Sequence, residues 1–273
     1  MTTITELNYS STNTYLIEGE NGTILFDTGW AGTFDSFCRT LGELSKTVQD
    51  IDYIIISHFH PDHMGIAQEI ANLGPVIVVF DVQQSFIHSS DEIFARDKKN
   101  IYCPIEDEKV RIVAIDDSRQ FLKELGIKGE IEHTPGHSDD SISLWIDEGV
   151  LFVGDLNPIY ELELHKGTEI EESWNKLLRL KPKRIYYGHA KTWVADDSAV
   201  GNRSQLIKER KNTELYKLVS RIIRYIDRGY SVQKIEKKTG ADATLVEDVN
   251  RMYLTHQNVG VQGILDRIEI KGK

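Results

Sequence analysis

Apolar residues fall along the first two hundred positions in short runs separated by amphipathic stretches. Thr14–Glu18 and Thr23–Phe26 flank Glu20-Asn21-Gly22, whose Asn-Gly step signals a hairpin, and the second run stops at Asp27-Thr28-Gly29. Phe34, Phe37, Cys38, Leu41 and Leu44 then recur at helical spacing. Residues 51–57 are almost wholly apolar, the pattern of a central strand buried on both faces, and they deliver the chain to His58. A helix over 66–73 closes at Gly74-Pro75, and a strand over 76–80 follows. Residues 83–100 are charged with a weak apolar face and read as a helical lid or insertion. Strands over 110–115, 129–133, 141–146 and 150–153, a helix over 171–180 and a strand over 184–187 complete an α/β pattern.

Beyond about residue 200 the strand signals vanish. A helix over 203–228 carries the stripe Leu206, Leu215, Leu218, Val219, Ile222, Ile223 and Ile226. Ser231 is placed to cap a short helix that ends at Gly240, and Thr244 begins another running towards His256. This shift sets a domain boundary, 1–200 against 201–273. Charge changes sign there too: 17 basic against 34 acidic residues before it, 15 against 9 after it. A basic helical tail on an acidic body predicts docking on that body or on a second copy, a homodimer through the C-terminal helices. The tail also has the outline of a helix-turn-helix, with Lys234, Lys237 and Lys238 exposed. Few of its residues suit base-edge readout, so docking is favoured over nucleic-acid binding.

Composition narrows the class. With 40% hydrophobic and 27% charged residues the chain is an ordinary globular one, and no apolar run approaches the roughly 20 residues of a membrane span. Residues 1–11 are polar and lack Lys and Arg, so a secretory signal is not expected and a cytoplasmic location is. Cys38 and Cys103 share no metal or redox spacing and read as reduced thiols.

The chemistry concentrates in His58-Phe59-His60-Pro61-Asp62-His63, where four metal-ligating side chains fall directly after an apolar strand. Imidazoles with a carboxylate suit a borderline-soft divalent cation, and two ions fit if His58 and His60 face one while Asp62 and His63 face the other. Three further ligand types follow predicted strands, each preceded by Gly: His137 in Thr134-Pro135-Gly136-His137, Asp155 in Val153-Gly154-Asp155, and His189 in Tyr187-Gly188-His189. Glycine there permits a sharp turn and close backbone approach. His88, His133 and His256 lie outside this spacing.

The set resembles the metallo-β-lactamase superfamily, whose His-x-His-x-Asp-His motif precedes a distant His, a bridging Asp and a last His. The resemblance spans residues 4 to about 195. It implies a four-layer αββα sandwich in 1–200, carrying the catalytic centre, with 201–273 as a helical extension. It further implies that His58, His60 and His137 hold one metal, that Asp62, His63 and His189 hold a second, that Asp155 bridges them, and that Asp27 braces the ligand loop. Zinc, two per chain, is the default, with iron or manganese as alternatives. Because Asp155 is present, antibiotic hydrolysis is disfavoured; His60 stands where flavodiiron relatives have Glu; Pro158 stands where acyl-homoserine-lactone lactonases have Tyr. The glyoxalase II, lactonase and phosphodiesterase branches share the full set. The expected activity is hydrolysis of a small-molecule thioester, ester or lactone by metal-activated water, with Asp62 as the catalytic proton carrier. A phosphodiesterase, a mononuclear-iron persulfide dioxygenase using part of the same set, and a metal-sensing regulator with a nucleic-acid-binding tail are the alternatives. Asn157, Tyr160, His165 and Lys166 follow Asp155 in a loop expected to overhang the cavity and touch substrate.

Overall fold

The computed structural model describes residues 2–96, 101–195, 213–255, 261, 263–265 and 268. The hairpin read from Asn21-Gly22 is β2 (Thr14–Glu18) against β3 (Thr23–Phe26), antiparallel with Tyr15 opposite Phe26; Gly19 N donates to Gly22 O at 2.9 Å across its turn. β1 (Thr3–Leu7) pairs antiparallel with β2. On the other side β4 (Tyr53–Ile55), β5 (Val76–Phe80) and β6 (Val110–Val113) add in parallel, giving the order β1-β2-β3-β4-β5-β6. A second sheet has the order β11-β10-β9-β8-β7, from β7 (Gly129–His133), β8 (Ile142–Ile146), β9 (Val150–Phe152), β10 (Arg184–Tyr186) and β11 (Trp193–Val194).

Side-chain alternation along the strands builds the layers. Tyr15, Ile17, Ile24, Phe26, Ile55, Val78 and Phe80 from the first sheet share one buried cluster with Ile131, Ile142, Leu144, Ile146 and Phe152 from the second. Their neighbours Leu16, Leu25, Ile54, Ile77 and Val79 point the other way, onto Phe37 and Leu41 of α1 (Phe34–Glu43) and Ala67 and Ile70 of α3 (Ala67–Ala71). Each fully buried aliphatic side chain contributes about 1.5–3 kcal/mol. The second sheet's other side carries buried Trp145, Leu151 and Ile185, and α6 (Glu169–Leu178) buries Ile170, Trp174 and Leu177. The result is the helix-sheet-sheet-helix sandwich expected from the sequence.

Several details differ from the pattern reading. The helix expected over 83–100 is broken into a 3-10 turn at Asp81–Phe86 and α4 (Asp91–Arg96), with 97–100 outside the described residues. Ser90 and Ser89 lie between the two pieces, and both hydroxyls donate to the Phe59 carbonyl, at 2.5 and 3.4 Å, so local polar bonding competes with the helix there. β1 and α5 (Ser118–Glu124) were not expected. Leu44, read as part of the α1 stripe, lies past its end and is exposed.

By contacts the chain divides into two compact units, residues 1–156 with 162–193, and 157–161 with 194–273. Against the boundary read at 200, the short segment 157–161 therefore groups with the helical part. That unit has its own core: Val219 and Ile222 of α7 (Glu214–Ile226), Ile235 of α8 (Val232–Thr239), and Val246, Val249 and Met252 of α9 (Ala243–Thr255). Leu215, read as part of the apolar stripe, is exposed in the first turn of α7, and Leu206 lies outside the described residues. Ser231 occupies the cap position of α8 without a side-chain cap bond, and Gly240 closes that helix at φ 70°. The start of α9 is held by Asp242, which accepts from Thr244 N at 2.8 Å; His256 is outside the described residues. No described helix is long and apolar enough to cross a membrane.

Candidate metal centre

Neighbouring strands of both sheets end together, and the chemistry sits on those ends. β3 stops at Asp27 and β4 runs on to Ser57-His58, tied by Asp27 N to Ile55 O at 2.9 Å. β9 and β10 stop at Gly154-Asp155 and Gly188-His189, tied by Gly188 N to Gly154 O at 2.7 Å. Ile142 N donates to Ser57 O at 2.9 Å and so joins the second sheet to the His58 loop. After His60, Pro61 at the first helical position starts α2 (Pro61–Met64), a single turn that swings Asp62 and His63 back towards the strand ends.

Three groups of ligand-type atoms converge: His58, His60 and His137; His58, His63 and Asp155; Asp62, His63 and His189, the atoms within each group lying within 4.8 Å of one another. His58 Nε2 is 3.0 Å from His60 Nδ1, which is 3.1 Å from His137 Nε2. His189 Nε2 is 2.8 Å from Asp62 Oδ2. Asp155 lies between these groups, its oxygens 3.4 Å from His63 Nε2, 3.6 Å from His189 Nε2 and 3.8 Å from His137 Nε2. All seven predicted ligand residues are therefore brought together.

Asp27 stands behind them, fully buried, in the left-handed region at φ 63°, which Asp tolerates better than most residues. Its carboxylate accepts from Ser57 N at 2.7 Å and Ser57 Oγ at 2.9 Å, and pairs with His63 Nδ1 at 2.9 Å. Ser57 Oγ also lies 3.0 Å from His58 Nδ1, and His189 Nδ1 lies 2.9 Å from Ser11 O. In each case one ring nitrogen is engaged from behind and the other faces the cluster, the arrangement that fixes the orientation of a metal-ligating imidazole.

Electrostatics favour a cation. Burial, reinforced by the surrounding histidines, holds His58 well below the ordinary imidazole range, and burial lowers His60 as well. Burial pushes the Asp62 and Asp155 carboxyls up, but nearby histidines outweigh it and hold both below the usual carboxylate range. Neutral imidazoles and ionised carboxylates are the protonation states metal binding requires. His63 behaves oppositely: burial lowers it, yet Asp27, Asp155 and Asp62 raise it well above the usual range. Three carboxylates thus demand positive charge at His63, and its buried Nε2 makes no hydrogen bond. Two ligand atoms at 2.0–2.1 Å from a tetrahedral ion lie about 3.3 Å apart, close to the spacings within the histidine group. The residues fit divalent cations.

Glycine is required beside the centre. A Cβ on Gly188 would lie 2.5 Å from Asp155 Oδ1 and 2.7 Å from His63 Cε1. At Gly154, φ is 53° and a Cβ would lie 2.5 Å from Ser57 Oγ.

The family model described as the metallo-beta-lactamase superfamily matches residues 7–189, most of the chain. The chain belongs to that superfamily. Among curated relatives of this superfamily member, a Drosophila melanogaster protein named beta-lactamase-like protein 2 homolog is 30% identical over 191 residues, covering 67% of this chain and 60% of that one. This chain therefore spans about three fifths of that relative's length. A probable metallo-hydrolase of Methanocaldococcus jannaschii is 30% identical over 191 residues, covering 66% of this chain and 87% of its own. A crystal structure of a metallo-beta-lactamase family protein from Thermus thermophilus shares the fold, with TM-score 0.52, 22% identity and 77% of each chain covered.

The rim residues expected from sequence are placed less uniformly. His165 is buried at the end of a 3-10 turn (Ile159–His165), with Nε2 lacking a hydrogen-bond partner, and burial lowers its pKa. Lys166 is exposed. Asn157 is buried and donates to Glu161 Oε2 at 3.5 Å within its own short segment; the side chain of Tyr160 is outside the described residues. Sequence reasoning missed the residues that hold the ligand loops. Asn13 Nδ2 donates to the carbonyls of Tyr187 and Ala190 at 3.0 and 3.2 Å, and Thr12 Oγ1 donates to Asp62 O at 2.7 Å. Gln83 Nε2 donates to the carbonyls of Ile56 and Asp140 at 3.0 and 3.1 Å.

Proposed function

We propose that this chain is a dinuclear metal-dependent hydrolase, zinc by default, acting on a small-molecule thioester, carboxylic ester or lactone. One observation carries the reading: two triads, His58-His60-His137 and Asp62-His63-His189, meet at Asp155, whose carboxylate lies within 4 Å of histidines from both. The name of the Methanocaldococcus jannaschii relative, a probable metallo-hydrolase, supports the same chemistry. Divalent cations held there supply Lewis acidity, which makes water nucleophilic near neutral pH and polarises a substrate carbonyl.

The chain's own residues do the rest. His58, His60, His137, His63 and His189 would hold the ions through ring nitrogens, while Ser57, Asp27 and the Ser11 carbonyl hold the rings of His58, His63 and His189 from behind. Asp62 is ionised, keeps 16% of its side-chain surface exposed, and is oriented by His189 at 2.8 Å. It takes the proton released when water oxygen bonds to the acyl carbon. The same proton passes to the departing sulfur or oxygen as the acyl bond breaks.

Metal analysis of the purified protein, beside a panel of thioester, ester, lactone and phosphodiester substrates, tests the reading. Two divalent ions per chain with turnover on an acyl substrate are expected. Turnover confined to phosphodiesters reassigns the bond class. A single iron with oxygen consumption on persulfide overturns the hydrolase.

A further inference from the structure

Phe59 lies between two of the ligand histidines, and both sides of its backbone are gripped. Its N–H donates to Asp140 Oδ2 at 2.6 Å, and its carbonyl accepts from Ser90 Oγ at 2.5 Å. The Phe59 ring is buried in the core below. Asp140 itself is 3% exposed and makes a second bond, accepting from Ser138 Oγ at 2.7 Å through Oδ1. Ser138 directly follows His137. One carboxylate therefore holds the His58-Phe59-His60 backbone with one oxygen and the His137 loop with the other, across a sequence separation of 81 residues. Gln83 Nε2 fixes the Asp140 carbonyl at 3.1 Å and the Ile56 carbonyl at 3.0 Å, which locks this carboxylate to the end of β4.

The other triad is held differently. Asp62 and His189 are tied to the loop 11–13, through Thr12 Oγ1 to Asp62 O and His189 Nδ1 to Ser11 O. The bonds of Asp140 to Phe59, Ser138 and Gln83 stay on the side of His58, His60 and His137.

We propose that Asp140 is a positioning residue dedicated to one half of the centre: it sets the spacing of His58, His60 and His137, and with it the affinity of that triad for a divalent cation, while leaving Asp62, His63 and His189 to their own supports. The inference rests on the dinuclear reading above. Asp140 belongs to none of the three ligand groups, so it would tune one ion against the other from outside the ligand set.

The test is a titration of the metal-stripped chain with zinc against a chromophoric chelator, which reads two dissociation constants without any substrate. In Asp140→Ala one of the two constants is expected to rise about 10–100-fold, the range for loss of a group that orients a metal ligand, while the other stays within about twofold. Asp140→Asn keeps an acceptor for Phe59 N–H and gains an amide N–H that can donate to Ser138 Oγ, so it is expected to restore the weakened constant; a merely structural aspartate would not give a one-site loss with rescue. Ser138→Ala, which removes only one of the two bonds, is expected to weaken the same site by a smaller factor, and it decides the matter if the Asp140→Ala variant does not fold. Equal weakening of both sites, no weakening in either alanine variant, or an Asp140→Asn variant as impaired as Asp140→Ala overturns the inference while the functional reading stands. Wild-type protein that takes up no divalent ion overturns the functional reading, and the inference with it.

Discussion

Gly188 lacks a side chain because the centre leaves no room for one. A methyl group there would be 2.5 Å from Asp155 Oδ1 and 2.7 Å from His63 Cε1, and His63 is itself pinned. It cannot retreat without breaking its 2.9 Å pairing with Asp27, which also receives both Ser57 donors. In Gly188→Ala the displacement must therefore be taken up by the ligand atoms. Turnover is expected to fall by at least about a hundredfold, as misplacement on the ångström scale does, with a loss of bound metal measured on the same sample. An alanine variant with wild-type turnover and metal content would mean that Asp155 and His63 are not the neighbours described. Asp27 is fixed by its neighbours in turn: its three bonds satisfy buried donors that would otherwise each cost about 1–3 kcal/mol.

Among the elements, the insertion after β5 shows where pattern reading succeeds and where it stops. β5 is legible because Val76–Phe80 is a continuous apolar run between a Gly-Pro turn and a charged stretch. The seven ligand positions are legible for a related reason: their side chains are chemically distinctive and follow such runs directly. β1 is missed because it is an edge strand whose first four residues are at most half-buried, and α5 because a short helix anchored by Phe121 and Leu122 has too few turns to display a period. Asn13, Gln83 and Asp140 are invisible for a different reason. Each is a single polar residue bonded to backbone far away in sequence, 174 residues in the case of Asn13 and Tyr187, and no spacing encodes that. Within the insertion, His88 bridges Asp91 at 3.0 Å and Asp107 at 3.2 Å, tying the start of α4 to the turn before β6. Its slight burial lowers its pKa, but the two carboxylates outweigh this and raise it above the ordinary 6.5. A raised folded-state value means that the stabilisation is complete below about 6.5 and is lost as pH rises through the folded-state pKa. Replacing His88 with Gln should therefore lower the melting temperature at about pH 5.5 and have little effect near pH 9. Because half of the side chain is exposed, solvent screening keeps the cost under about 1 kcal/mol. A difference between variant and wild type that grows with pH would show the sign to be wrong.

At the scale of the whole molecule, the seven candidate ligands lie in the first unit, and the second has a separate core built on Val219, Ile222, Ile235, Val246 and Val249. The candidate ligands reach the centre from the loops after β4, β7, β9 and β10, so a cation held by them would tie both sheets of the sandwich together. A ligand that binds only the folded state adds stability as RT ln(1 + [L]/Kd), about 4 kcal/mol at a thousand times Kd, and that stability belongs to the unit that holds it. Chelation should therefore be visible residue by residue in hydrogen exchange on the whole chain of both units. Amides at the strand ends, Phe59 donating to Asp140, Asp27 to Ile55 O and Gly188 to Gly154 O, are expected to exchange up to about a thousandfold faster once metal is removed. Amides of α7 and α8, buried around Ile222 and Ile235, are expected to keep their protection. Equal acceleration in both units would show that the helical unit draws its stability from the centre. No acceleration at Phe59 or Gly188 would show that the strand ends draw no stability from a bound cation.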